Sequence, residues 1–318
     1  MRASPSLANA MGVTSIPLKD LKKQYTTKDS KWVKVNGLDI HYQDVGEGPV
    51  VVLVHGIMSS LQTWDGWIPE LEKDHRVISL DVPGYGLTGA PENADDFNEA
   101  FLINTFAKFI DEIELERFSL AGNSLGGYIS AQYASLYPDR VERLILLDPV
   151  AYPQPVPWIF ELAIAPGVAQ MGQLIQPPLF VTMTMNDVYG DPSRLTRYHQ
   201  DRYVHMSQRP GAKAAYIKTI EMLVERSTTE MPMPFHRIKA PTLLMWGESD
   251  RWVPVALTKR WQEDIRDSQV LIYPGVGHMP MEEIPEKSVA DAKAFLSGEP
   301  LPNAGLAQAT VSHADSTL

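Results

Sequence analysis

Ser124 stands in Gly122-Asn123-Ser124-Leu125-Gly126-Gly127, directly after the apolar run Phe118 to Ala121 and directly before a helix-period segment. A serine on a tight strand-to-helix turn has its hydroxyl raised above the sheet, and flanking glycines let strand and helix approach where a Cβ would collide. An unaided hydroxyl is a weak nucleophile, so it needs a base, and the base needs an acid to hold its tautomer. His278 lies in Pro274-Gly275-Val276-Gly277-His278-Met279-Pro280, a glycine-rich loop after the last strand-like run. Asp250, in Gly247-Glu248-Ser249-Asp250-Arg251, follows the run Thr242 to Trp246 and is the preferred acid. Asp148, just after Leu144 to Leu147, is its rival. Taken alone, the serine turn reads equally as a flexible loop and His278 as a surface histidine. Their shared position at strand ends favours chemistry.

Acyl transfer also needs two N–H donors converging on the developing oxyanion. Leu125, at a helix N-terminus, offers one. Ile57, in His55-Gly56-Ile57-Met58 after the run Val50 to Val54, offers the second. His55 is read as a structural support of its loop, and Asp81 to Gly86 as a turn that shapes the site wall. Among the other histidines, His41 belongs to a strand face, His75, His236 and His313 to the surface, and His199 and His205 to a lid.

These residues need a scaffold that brings several strand ends together. Lys31 to Val35 and Ile40 to Asp44 alternate as half-buried strands around the hairpin turn Asn36-Gly37. Val50–Val54 is an unbroken apolar run, and Arg76–Leu80, Phe118–Ala121, Leu144–Leu147, Thr242–Trp246 and Val270–Tyr273 are mainly apolar ones, the mark of strands buried on both faces. Helix-period segments at Leu61–Lys73, Phe97–Ile113, Leu125–Tyr137, Val255–Asp264 and Ser288–Leu296 lie between them. The alternation predicts an α/β fold with a mainly parallel eight-stranded sheet flanked by helices. From 151 to 235 no buried strand is read, and the Pro-, Met- and aromatic-rich segment predicts a helical cap inserted between strands six and seven. The expected organisation is an N-terminal extension over 1–28, a core over 29–150 and 236–297, the cap over 151–235, and a disordered tail over 298–318.

The chain has 318 residues, 28 of them Lys or Arg against 39 Asp or Glu, for a formal charge of −11. That balance argues against nucleic acid and anionic membranes as partners, since both attract basic faces. There are no cysteines, which excludes thiolate catalysis and Cys-ligated metals. No apolar run reaches a membrane span of roughly 18–20 residues. Met1 to Ala10 shows no leader pattern, and the expected compartment is the cytoplasm. No cofactor or metal is implied. Oligomeric state is left open between monomer and dimer.

Together, His55-Gly56, Asp81 to Gly86, Gly122 to Gly127, Trp246 to Asp250 and Gly277-His278 resemble the α/β-hydrolase superfamily, over residues of about 30 to 297. The order serine, acid, histidine matches that fold. Within it the chain resembles capped serine esterases and also the meta-cleavage product hydrolases, which cut carbon–carbon bonds. Its Gly-Asn-Ser-Leu-Gly-Gly is similar to the Gly-Asn-Ser-Met-Gly-Gly of the latter. Those hydrolases often carry Trp after the histidine, where this chain has Met279, and the departure weighs against carbon–carbon cleavage. Epoxide hydrolases and dehalogenases use an aspartate nucleophile, against Ser124.

The resemblance implies a serine hydrolase acting on a small-molecule ester through an acyl-enzyme. Met58, Trp158, Met183, Tyr203 and Met279 are the expected substrate contacts, suited to a medium-sized apolar acyl or aryl group. Arg194, Arg197 and Arg202 are read as solvated positions on a charged helix face. The alternatives are a carbon–carbon hydrolase of ring-cleavage products and a non-catalytic binding protein of the same fold.

Overall fold

Runs of Val, Ile and Leu bury both faces of a strand only where helices cover the sheet on either side. The computed structural model of the chain describes residues 15–174 and 178–301 and realises that arrangement. His313, residues 1–14 of the extension and nearly all of the expected tail lie outside the described residues. The strands are β1 (Ser30–Val35), β2 (Leu38–Val45), β3 (Val50–Val54), β4 (Arg76–Leu80), β5 (Phe118–Asn123), β6 (Val141–Leu147), β7 (Thr242–Gly247) and β8 (Ser268–Tyr273). They form one sheet in the order β1-β2-β4-β3-β5-β6-β7-β8. β2 runs antiparallel to β1 and β4, and the remaining pairs are parallel. Asn36 and Gly37, at φ 49° and 79°, make the turn between β1 and β2.

The helices are α1 (Leu18–Tyr25), α2 (Glu99–Glu112), α3 (Leu125–Leu136), α4 (Trp158–Ile164), α5 (Val168–Leu174), α6 (Pro178–Val188), α7 (Arg197–Ser207), α8 (Ala212–Thr228), α9 (Thr258–Asp264) and α10 (Pro285–Ser297). α2 starts at Asn98, whose side chain accepts the Phe101 N–H at 3.0 Å. α7 starts at Thr196, which accepts the His199 N–H at 3.2 Å. Such caps satisfy donors that the first turn leaves unpaired. α3 is buried over all but its last residue, as its all-round apolar sequence requires. Between β6 and β7 the chain leaves the sheet and forms α4 to α8 before returning.

The parallel register lines up the strand ends. Val54 lies opposite Gly122, Asn123 opposite Leu147, and Leu147 opposite Met245. From β3 the chain runs to β4 on one side and later to β5 on the other, so the connections diverge at that point. Open α/β sheets bind ligands in the crevice made there.

Three readings change. Leu61–Lys73 is not one helix: it is a 3-10 turn over Leu61–Trp64 and a single turn over Ile68–Leu71. Pro69, in the first turn of the second piece, has no N–H to bond back toward the first, so the two cannot join into one helix. Val270–Tyr273, expected as a strand buried on both faces, belongs to the edge strand β8 and leaves Ile272 38% exposed, while α1 in the extension buries Leu21 and Tyr25 against Leu87 and Met206. His75, expected at the surface, is buried beside Asp74, whose carboxylate lies 2.6 Å from its Nδ1.

Candidate active site

Ser124 sits between the end of β5 and the start of α3 with φ 53° and ψ −117°. For a residue with a Cβ this conformation costs of order 1–3 kcal/mol and persists only where the surroundings impose it. Here the Ser124 N–H donates to the Leu147 carbonyl at 2.9 Å, and its own carbonyl accepts from the Tyr128 N–H at 3.0 Å. A Cβ on Gly122 would overlap the Gly126 carbonyl, so glycine there is what allows β5 and α3 to meet. Met58 and Asp148 also have positive φ, 59° and 44°. Strained residues therefore cluster in the loops that follow β3, β5 and β6.

The loop after β8 carries His278. Its Nδ1 lies 2.6 Å from Asp250 Oδ2, on the loop after β7. The other Asp250 oxygen accepts the N–H groups of Trp252 at 2.7 Å and Val253 at 3.0 Å. With an acceptor-only partner, Nδ1 carries the ring proton and Nε2 presents a lone pair. Nε2 is buried and has no hydrogen-bond partner among the described residues. It opens on the small cavity that Ser124 also lines. The sequence left two acids in contention, and the structure puts Asp250 on Nδ1.

Asp148 lies behind this pair. Its Oδ1 accepts the Gly247 N–H at 2.9 Å. Burial, together with the neighbouring Asp250 charge, holds Asp148 well above the ordinary carboxyl range. A second charge this close to a buried carboxylate is disfavoured, which is what raises Asp148. Asp148, Asp250 and His278 have atoms within 4.8 Å of one another, the one grouping among the described residues spaced for a metal ion. Their hydrogen bonds already engage His278 Nδ1 and both Asp250 oxygens.

Leu125 opens α3, where the first N–H groups have no intrahelical partner. Ile57 lines both small cavities that contain Ser124. Gly56 lies so near that a Cβ on it would stand 3.0 Å from the Ser124 Cβ. His55 braces this loop. Its Nε2 accepts the Val82 N–H at 3.0 Å, and its Nδ1 meets the Gly56 carbonyl at 2.7 Å. That pattern requires the neutral tautomer with the proton on Nδ1. Burial lowers the His55 pKa in spite of the nearby Asp81 charge.

Several positions went unnoticed in the sequence. Asn123 donates from Nδ2 to the carbonyls of Leu147 and His278, at 3.2 and 3.1 Å. Glu283 accepts the Gly277 N–H at 2.7 Å and the Gly190 N–H at 3.1 Å. The His278 N–H donates to the Val188 carbonyl at 2.8 Å. The histidine loop is thus tied to the elbow on one side and to the end of α6 on the other. The only sequence signal was the acidic pair Glu282-Glu283 shortly after the histidine.

Glu282 is buried in a polar knot. It accepts from Thr63 Oγ1 at 2.5 Å, Tyr189 OH at 2.5 Å and Tyr203 OH at 2.9 Å, and it pairs with Arg202. Burial alone would raise its pKa, but the Arg202 charge and these donors bring it below the usual value. Arg202, expected in solvent, is buried because this carboxylate draws it in.

Of the five expected substrate contacts, Met58, Tyr203 and Met279 line the cavity at Ser124. Trp158 and Met183 do not. They are 60% and 51% exposed, and one step along the same helices Ile159 and Thr184 face inward instead. A helix turns 100° per residue, so neighbours in sequence face different ways. Beyond the small cavity lies a larger one of about 290 Å³, to which α4, α5, α6 and α8 contribute. Met58 and Thr184 belong to both. Trp252 stands beside His278, ring centres 5.9 Å apart.

Residues 49–285 match a protein family described as alpha/beta hydrolase fold. The chain is 27% identical to a 2-hydroxy-6-oxo-2,4-heptadienoate hydrolase of Pseudomonas putida, over 85% of this chain and 96% of that protein. It is 29% identical to a 2-hydroxy-6-oxononadienedioate/2-hydroxy-6-oxononatrienedioate hydrolase of Escherichia coli, over 76% of this chain and 85% of the relative. A solved structure of a membrane phospholipase A, a bacterial virulence factor, superimposes with a TM-score of 0.69 at 28% identity, covering 85% of this chain and 86% of that one.

Proposed function

This chain belongs to the alpha/beta hydrolase fold family, and from that premise we propose that it is a serine hydrolase of carboxylic esters with medium-sized apolar acyl or aryl groups. The observation that carries the reading is that Ser124 and His278 line the same cavity while Asp250 holds His278 Nδ1 from behind at 2.6 Å. His278 Nε2 takes the proton from Ser124 Oγ as that oxygen attacks the ester carbonyl. The N–H groups of Ile57 and Leu125 hold the oxyanion. Nε2–H then protonates the departing alkoxide. A water gives its proton to Nε2 and attacks the acyl carbon, and the acid leaves as Oγ recovers its proton. Asp250 remains ionised throughout and steadies the imidazolium. The helices α4 to α8 act as the cap that shapes the substrate space.

A second reading, carbon–carbon hydrolysis, is supported by the activities named for the two curated relatives. The first is named for a dienoate, with one carboxylate, and the second for a dienedioate or trienedioate, with two. Among the described residues, neither cavity that contains Ser124 is lined by Lys or Arg. An unpaired carboxylate is costly to bury, which favours a neutral ester. The test compares kcat/KM for p-nitrophenyl butyrate and for a 2-hydroxy-6-oxo-dienoate, each with wild type and Ser124→Ala. Ester hydrolysis lost in the variant supports the proposal. Turnover of the dienoate thousands of times faster would replace it with the second reading. Absence of both activities and of fluorophosphonate labelling would leave a binding protein.

A further inference from the structure

Three helices of the insertion share an unusual pattern. α4 exposes Trp158 and Leu162, α5 exposes Val168 and Met171, and α6 exposes Leu179 and Met183. Each pair is spaced three or four residues apart, so it forms one stripe on its helix. These six side chains are 37% to 70% exposed. Large apolar side chains grouped in this way mark an interaction face, since a solvated helix carries charges there. Charge is almost absent: from Pro149 to Asn186 the sequence has one residue among Asp, Glu, Lys and Arg, namely Glu161, although 21% of the whole chain is charged. The following helix α7 returns to ordinary composition, with Arg197, Asp201 and Arg202.

The same stripes open on the larger cavity. Leu162, Val168 and Met171 are exposed to solvent and also line its wall. Phe160 and Thr184, further along that wall, lead to the two small cavities at Ser124. The route from outside to the nucleophile is therefore mainly apolar, with Lys213 and Thr184 as polar side chains on the wall of the larger cavity.

We propose that the exposed apolar rim of α4, α5 and α6 docks this protein on an uncharged lipid–water interface, from which acyl chains of aggregated esters enter the cavity toward Ser124. This rests on the ester reading and specifies its substrate as aggregated, neutral acyl esters. The occupant follows from three features: an apolar rim, near absence of charge along its sequence, and continuity with a mainly apolar cavity of about 290 Å³. The net charge of −11 opposes an anionic surface, so the interface is neutral or zwitterionic. Association is flat and reversible, as for amphipathic helices lying in an interface. No described helix is long and apolar enough to cross a membrane.

The test uses the full chain and the triple variant Trp158→Ser, Leu179→Ser, Met183→Ser, which leaves the cavity wall intact. Two measurements are made: co-sedimentation with phosphatidylcholine vesicles, and hydrolysis of monomeric p-nitrophenyl butyrate against micellar p-nitrophenyl laurate. Wild type is expected to sediment with the vesicles, and the variant about tenfold less. The variant should also lose about tenfold on laurate while butyrate kcat/KM stays within about twofold. Vesicles enriched in phosphatidylserine should bind wild type no better. The inference is overturned if wild type stays in the supernatant, if the variant sediments equally, or if the substitutions instead dissolve a dimer, which would make a second copy the occupant. Vesicle binding by Ser124→Ala separates the two claims, since it persists even if no ester is hydrolysed.

Discussion

Asp250→Asn and Asp148→Asn are nearly isosteric changes a few ångströms apart, yet the structure gives them opposite consequences. Asp250 Oδ1 receives two backbone N–H groups, from Trp252 at 2.7 Å and Val253 at 3.0 Å. In Asp250→Asn only the amide oxygen can take that place, so the amide NH2 is turned toward His278 Nδ1, where the carboxylate stood 2.6 Å away. Nδ1 must then accept, and the ring proton moves to Nε2. That nitrogen can no longer take a proton from Ser124. The wrong tautomer costs about 10⁴ in kcat, with the geometry otherwise intact. That is roughly 5.5 kcal/mol in the barrier. In Asp148→Asn the amide oxygen still accepts the Gly247 N–H, and a neutral amide replaces a carboxyl whose charge burial and Asp250 already disfavour. The loss should stay within about tenfold, near 1.4 kcal/mol. Both variants are assayed for kcat on p-nitrophenyl butyrate and for the rate of fluorophosphonate labelling, which reports Ser124 nucleophilicity whatever bond is cleaved. Retention of more than a tenth of wild-type labelling by Asp250→Asn would refute the tautomer reasoning. An equal collapse in Asp148→Asn would move the acid's role to that residue.

Ser124→Ala should abolish fluorophosphonate labelling and ester turnover with a thermal midpoint close to wild type; residual labelling elsewhere would show that the nucleophile is another residue. Ala163→Trp places a large ring in the wall of the 290 Å³ cavity and should lower kcat/KM for a decanoyl ester at least about tenfold relative to a butyryl ester, the scale of a few displaced methylenes. Equal loss on both esters would place the acyl chain elsewhere. Glu282→Gln leaves the buried Arg202 without its counter-charge and should cost about 3–5 kcal/mol, read from urea midpoints. The folded pKa of Glu282 is lowered, so its stabilisation is present above the ordinary carboxyl value of about 4.3 and fades as pH falls through the lower folded value. Wild type should therefore lose stability on acidification below that range more steeply than Glu282→Gln, and parallel curves would show that the pair is not coupled to folding.

Much of the scaffold was legible because its signals are local. The runs that became β3 to β7 are largely apolar segments that only a two-sided sheet can bury, and Asn36-Gly37 encodes its own turn. The serine motif was legible for the same reason: Gly122 is needed within a few residues of Ser124, and the strand before it and helix after it are written in the adjacent sequence. The histidine followed from its place after the last strand. Leu61–Lys73 shows where local pattern misleads, since its apolar period survived while Pro69 broke the helix.

What sequence could not supply was whatever depends on residues far apart meeting in space. Asp250 and Asp148 both follow buried strands, and their patterns are equivalent on paper. Only the fold shows that one carboxylate reaches His278 Nδ1 and the other is buried against the Gly247 N–H. Arg202 read as a surface charge until Glu282, 80 positions away, drew it inside. Trp158 and Met183 are apolar like their neighbours, and their outward direction depends on how α4 and α6 are rotated against the rest. Strand identity and the serine turn are set by the chemistry of adjacent residues. Proton position, ion pairing and the inward or outward turn of a helix are set by distance and burial, and those exist only once the chain has folded.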